Sequence, residues 1–353
     1  MTAIDRRYLL LAALGLALPL GAEAARSPAV LAYCTRPERG APELVLHTGA
    51  DEIFRLALPG RGHGFAWDPV ARRAVLFARR PGDWCLLFDP DRPESMRWIT
   101  AAAGRHFYGH GCFSRDGALL YASENDFEAA RGCIGVYEVA SSYRRIGELE
   151  SCGVGPHDLC MLPNGRLLVA NGGIETHPDY GRAKLNLSEM RSSLTILDRG
   201  TGQKLSDTRT PETWQKLSLR HLALDPRGRP WFAAQFEGQR YQPAPLAGWL
   251  DPEQGLVFAD EPQAQWRALE GYGASIACFG ERVAVSFPRA QRLLFWSGRD
   301  GSFLEAHDAG EAFALAANRE RLFVGGLEGG GLFGDRLGRL TDARIDNHAR
   351  WLV

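Results

Sequence analysis

Gly153-Val-Gly-Pro-His157-Asp-Leu-Cys-Met-Leu-Pro-Asn-Gly-Arg-Leu-Leu-Val-Ala-Asn171 reads as a histidine, a short apolar strand, a turn, and a second apolar strand. Versions of it recur. Gly-His63-Gly-Phe-Ala-Trp-Asp-Pro-Val-Ala-Arg-Arg-Ala-Val-Leu-Phe-Ala and Gly-His110-Gly-Cys-Phe-Ser-Arg-Asp-Gly-Ala-Leu-Leu-Tyr-Ala-Ser precede it, and Arg-His221-Leu-Ala-Leu-Asp-Pro-Arg-Gly-Arg-Pro-Trp-Phe-Ala-Ala follows. Successive histidines lie 47, 47 and 64 residues apart. That is the period of a four-stranded propeller blade, with an insertion in one copy. Two further copies, beginning at Ser275 and Ala312, keep the hairpin and lack the histidine.

Working outward, residues 30 to 58 supply three strand-like runs with no inner strand of their own, and the carboxy-terminal Asp346-Asn347-His348-Ala-Arg-Trp-Leu-Val looks like a histidine leading an inner strand. Pairing of these ends would close the ring and leave no exposed sheet edge. The expected fold is therefore all-β, a seven-bladed β-propeller closed by pairing of its N- and C-terminal strands. No stretch shows the apolar period of an amphipathic helix.

In a blade the first strand runs away from one face of the disc and the second returns to it. The leading histidines should thus share a face with the loops after each second strand: Arg79-Arg80, Glu124 to Glu128, the insertion from Asn171 to Asn186, and Gln235-Phe-Glu237. The opposite turns, such as Arg115-Asp-Gly and Pro163-Asn-Gly, are ordinary hairpin chemistry.

His63, His110, His157, His221 and His348 each begin an inner strand, so their imidazoles can meet on the axis. Imidazole suits zinc, copper, iron or nickel, and a rigid scaffold can gather ligands that have no local spacing in sequence. The expected site is a transition-metal centre with those five ligands. Glu124, Asp126, Glu175, His177 and Glu237 are candidates to complete it or to orient the rings. The competing reading keeps each Gly-His pair as a structural hydrogen bond inside its own blade, or as a holder of ordered water. His47, His106 and His307 read as surface or loop residues. Arg79, Arg80, Arg182 and Lys184 would add positive charge at the mouth and suit an anionic, carboxylate-bearing chelate. No nucleophile elbow, Walker loop, dinucleotide fingerprint or His-Glu-x-x-His helix is present.

The whole-chain composition limits the classes. The 353 residues are 45% hydrophobic with a net charge of −1, which offers no basic stripe for nucleic acid, and forty glycines suit a fold full of tight turns. After the N-terminus no apolar run is long enough to span a bilayer. The first residues pair Arg6-Arg7 with a short apolar core and the small-x-small site Ala22-Glu23-Ala24. That describes a twin-arginine export signal over residues 1–24, followed by a single propeller domain over 25–353 that is monomeric and periplasmic. Seven cysteines show no Cys-x-x-Cys, and an odd number leaves at least one outside any internal disulfide.

Three segments together carry a family resemblance: Gly-His110-Gly-Cys-Phe-Ser-Arg-Asp-Gly with Glu124-Asn125-Asp126, Gly-Pro-His157-Asp with Asn171-Gly-Gly-Ile-Glu175-Thr-His177-Pro, and Arg182-Ala-Lys184-Leu-Asn186-Leu. The chain resembles the domain of unknown function 1513 family, exported propellers of the wider YVTN/quinoprotein-like class. The resemblance implies no defined activity. It does imply a setting among periplasmic iron-uptake proteins of the imelysin type, and hence metal handling. Three functions stand open: an accessory metal-binding propeller for iron or, second, copper acquisition; a metal-dependent hydrolase or oxidoreductase using the same ring; and a metal-free protein-docking platform.

Overall fold

In the computed structural model, which describes residues 29–353 except 69 and 335–337, every four-stranded sheet is built as the repeats require. Inner strands of blades 2 to 7 are Gly62–Asp68, Arg105–Phe113, Pro156–Met161, Leu217–Leu224, Ser275–Phe279 and Ala312–Ala317. Each is followed by three antiparallel strands of its own sheet. Blade 1 is composite. Its inner strand is Ile345–Leu352, which pairs antiparallel with Val30–Thr35, and the strands Glu43–Thr48 and Asp51–Ala57 complete the sheet. The fold is thus an all-β, seven-bladed propeller closed by its two ends. The expected export signal lies outside the described residues.

Burial falls off radially. The second strand of blade 2, Arg73–Ala78, is buried at five of six positions, whereas the outermost strand of blade 1 has no buried residue. Apolar side chains from inner and middle strands pack between neighbouring sheets: Phe77, Phe107, Phe113 and Tyr137 join blades 2 and 3, and Leu168, Trp231, Trp249, Val285 and Trp296 run through blades 4 to 6. Beyond the strands, one short helix spans Gln263–Ala268, where buried Trp266 stacks on Trp296. All seven cysteines are free thiols.

The ring is latched at its seam by side chains as well as by the sheet. Arg61 forms an ion pair with Asp346, with Nε 2.7 Å from Oδ2, and the Trp67 indole donates to the Val353 carbonyl at 2.9 Å.

A candidate metal centre on the propeller axis

Every leading histidine sits at an irregularity of its inner strand. The register between inner and second strand slips around His63, His110 and His157, just before His221, and between Ile345 and Ala349 around His348. A bulge puts an extra residue on one strand and re-aims its side chain, which here turns the imidazole off the sheet and toward the axis. Blade 7 keeps the bulge but offers Phe313, and blade 6 pairs without a slip from Ser275. His348 takes a left-handed φ of 61°, a strained conformation for a residue with a Cβ.

Glycines let the His63 and His110 rings crowd together. A Cβ on Gly64 would lie 2.6 Å from both the Gly109 carbonyl and His110 Nδ1, and one on Gly109, at φ +107°, would fall on the His63 ring. Glycine at 64 and 109 is thus a condition for the His63 and His110 rings to meet.

The five imidazoles form one buried cluster in which nine of the ten ring pairs have centroids 4.5 to 6.4 Å apart. Ligand nitrogens of His63, His110 and His157 lie within 4.8 Å of one another, as do those of His110, His221 and His348. Metal–imidazole bonds of about 2.0–2.1 Å put the three nitrogens of a tetrahedral or trigonal site about 3.3–3.6 Å apart, so rings near the outer limit would turn inward to hold an ion. One ring nitrogen of each is buried and without a hydrogen-bond partner: His63 Nδ1, His110 Nε2, His157 Nε2, His221 Nδ1 and His348 Nε2. Burial, reinforced for most of the rings by neighbouring imidazoles, holds all five pKa values down, that of His110 to about 3. The rings are therefore neutral at pH 7, the form that binds metal.

His110 has a carboxylate behind it. Its Nδ1 lies 3.4 Å from Asp158 Oδ1, which leaves Nε2 to face the cluster. Asp158 is itself fixed by backbone N–H groups of Leu159 and Leu222 at 2.8 and 2.9 Å, tying blade 4 to blade 5, and burial pushes its pKa up to about 7.

The cluster separates two chambers. On the mouth side a cavity of about 480 Å³ has His63, His157 and His221 in its wall together with Arg79, Arg80, Arg182, Lys184 and Arg220. On the far side a cavity of about 530 Å³ is bounded by His110, His221 and His348 with Asp158, Cys112, Cys160, Cys278 and Arg350. Burial keeps those thiols protonated, Cys278 with a pKa of about 12.

The proposed supporting residues divide. Glu237 lies in the mouth chamber, bonded to Lys184 and 3.3 Å from Arg220. Glu124 points outward along its blade, accepting from Tyr137 Oη at 2.6 Å and Arg145 at 2.8 Å. Asp126 pairs with Arg105 and Arg131 at 3.0 and 2.9 Å. Guanidinium groups bind both carboxylates inside the sheet, which is why they do not reach the axis. Glu175 serves the insertion through its backbone N–H, which donates to Asn186 Oδ1 at 2.8 Å. His177 caps a 3₁₀ turn by accepting from the Asp179 N–H at 3.2 Å and packs edge-on against Phe127. Asp158, Arg220 and Arg289 were not singled out from sequence, although each of the first two adjoins a leading histidine.

Seven sheets around an imidazole-filled axis define a β-propeller with a central histidine cluster. Residues 56–352 match the family described as "Protein of unknown function (DUF1513)", and the chain belongs to that family. No curated protein matches it. Among solved structures it is similar to hydrazine synthase of Kuenenia stuttgartiensis (TM-score 0.59, 11% identity, 80% of this chain and 86% of that one). It is also similar to U3-55K (TM-score 0.54, 13% identity, 86% of each chain) and to a chain of the nidogen/laminin complex (TM-score 0.53, 9% identity, 92% and 98%). At these identities the likeness concerns the fold alone.

Proposed function

We propose that the protein is a periplasmic metal-binding propeller in which His63, His110, His157, His221 and His348 hold one transition-metal ion on the axis. The observation that carries this reading is the set of five buried ring nitrogens without partners in one cluster. An unpaired buried polar atom is costly, and five together are the expected signature of a shared ligand. A bound ion would satisfy several of them at once. Asp158 acts as the positioning residue for His110, fixing its tautomer and raising its basicity.

Neutral imidazoles alone favour copper(II) over iron(II). Iron is our first assignment because a cationic mouth above the rings can admit an anionic chelate that brings oxygen donors with it. The role is accessory, in metal acquisition, with partners among iron-uptake proteins of the imelysin type. The enzyme alternative loses support from Glu124, whose carboxylate is bound by Tyr137 and Arg145 inside its own sheet.

Elemental analysis of protein purified from the periplasm, alongside a His110→Ala, His157→Ala double variant, tests the proposal. About one ion per chain in the natural protein and little in the variant is the expected result; equal content near zero in both sinks it. Replacing Asp158 with Asn should weaken ion affinity roughly 10- to 100-fold, and, because the amide leaves one of the two buried backbone N–H groups without an acceptor, should also lower the melting temperature of the metal-free protein.

A further inference from the structure

The mouth chamber carries a charge pattern that the metal site by itself does not call for. Six cationic side chains line it, Arg79, Arg80, Arg182, Lys184, Arg220 and Arg289, against two carboxylates, Glu237 and Glu311. That local excess of four positive charges sits in a chain whose net charge is −1. The cations come from separate places around the disc: the loop following the second strand of blade 2, the insertion between Asn171 and Ser193, the inner strand of blade 5, and the turn after Phe287 in blade 6.

Gathering like charges costs energy unless something answers them. Glu237 answers two, Lys184 and Arg220. Among the described residues no carboxylate lies within ion-pair distance of Arg79, Arg80, Arg182 or Arg289; Arg289 instead lies over the Tyr272 ring at 4.4 Å. Arg220, 8% exposed, keeps a buried Nε with no acceptor. Glu237 shows how a carboxylate is received here, and Arg79, Arg80 and Arg182 have no carboxylate of their own among the described residues.

The insertion is fastened as a wall of this chamber. Thr176 bonds to Tyr108 Oη at 3.2 Å and through its carbonyl to Asn125 at 3.0 Å, while Asn186 bridges the Glu175 N–H and the Gly173 carbonyl. These bonds fasten the segment that brings Arg182 and Lys184 to the chamber that Arg79 and Arg80 also line.

We infer that the mouth chamber binds a small polycarboxylate anion directly above the imidazole cluster. Two features select this chemistry. Guanidinium forks match carboxylates in bidentate geometry, and Glu237 already sits between two of these cations, Lys184 and Arg220, while four separate segments supply further cations for a ligand with more than one carboxylate. A volume of about 480 Å³ falls among small-molecule pockets of roughly 300–1,000 Å³. The inference deepens the metal reading, since such an anion can chelate the ion that the rings meet from below, but it needs no metal to hold.

Calorimetric titration of citrate into metal-free protein at low ionic strength is the test, with acetate and inorganic phosphate as comparison probes. Citrate should bind saturably, more weakly as salt rises, and more tightly than either comparison anion. Arg80→Gln, and separately the Arg182→Gln, Lys184→Gln pair on the exposed insertion, should each weaken it roughly tenfold or more. The His110→Ala, His348→Ala variant, altered on the far side of the cluster, should retain citrate. No saturable binding, indifference to both sets of cation substitutions, or phosphate binding as tight as citrate would overturn the inference. A protein that takes citrate yet holds no ion upholds it while the metal proposal fails; one that holds the ion and ignores citrate does the reverse.

Discussion

At the scale of single residues, the axis is a packing problem solved by glycine. Gly64 and Gly109 stand where a methyl group would strike the neighbouring blade's histidine. Gly64→Ala should therefore cost about 1–3 kcal/mol of stability, as overpacked sites do, and should reduce ion content by spreading the His63 and His110 rings; chemical denaturation and elemental analysis read the two effects separately. An ionic cluster in blade 3 makes a different prediction. Glu148 lies between Arg105, Arg131 and Arg145, at 3.3, 2.7 and 2.7 Å, and its pKa is lowered to about 2. The unfolded chain would titrate near 4.5. The stabilisation is thus complete above about pH 4.5 and disappears as the pH falls toward 2. Glu148→Gln should remove about 1–2 kcal/mol at neutral pH, the pairs being partly screened by solvent, and flatten the acid limb of a stability-versus-pH curve; an unchanged limb would contradict the assignment.

At the scale of the element, the inner strand's bulge connects the repeat to the site. The histidines were legible because they recur at one position of one strand, and strand direction then put Arg79, Arg80, Arg182, Lys184 and Glu237 on the same mouth, where the structure has them. Glu124 and Asp126 show where that logic ends. They lie within the second strand of blade 3, Leu119–Asp126, not in the loop beyond it, and the arginines that bind them come from other strands, a pairing no local pattern announces. Asp158 was hidden for a similar reason: it follows His157 in sequence yet serves His110, from the next blade. Bulges themselves leave little trace in a pattern of apolar residues, so the turn of each ring toward the axis needed coordinates.

At the scale of the whole molecule, closure depends on a strand at the far end of the chain. Ile345–Leu352 is at once the inner strand of blade 1 and the carrier of His348. A chain ending at residue 344 should lose its cooperative unfolding transition and expand, as circular dichroism and size-exclusion chromatography would report; retention of a compact, cooperatively melting disc would contradict the role given to the seam. Closure was visible in sequence because three amino-terminal runs lacked a partner that the last residues could supply.

Arg61 and Asp346, 285 positions apart, meet at that seam two residues from the rings of His63 and His348. Ring integrity and the donor set are consequently one event: a proteolytic nick that frees the final strand unseats an imidazole in the same stroke. If the proposed ion is bound, damaged copies should lose it together with the closed fold, so that no opened ring would keep the full donor set.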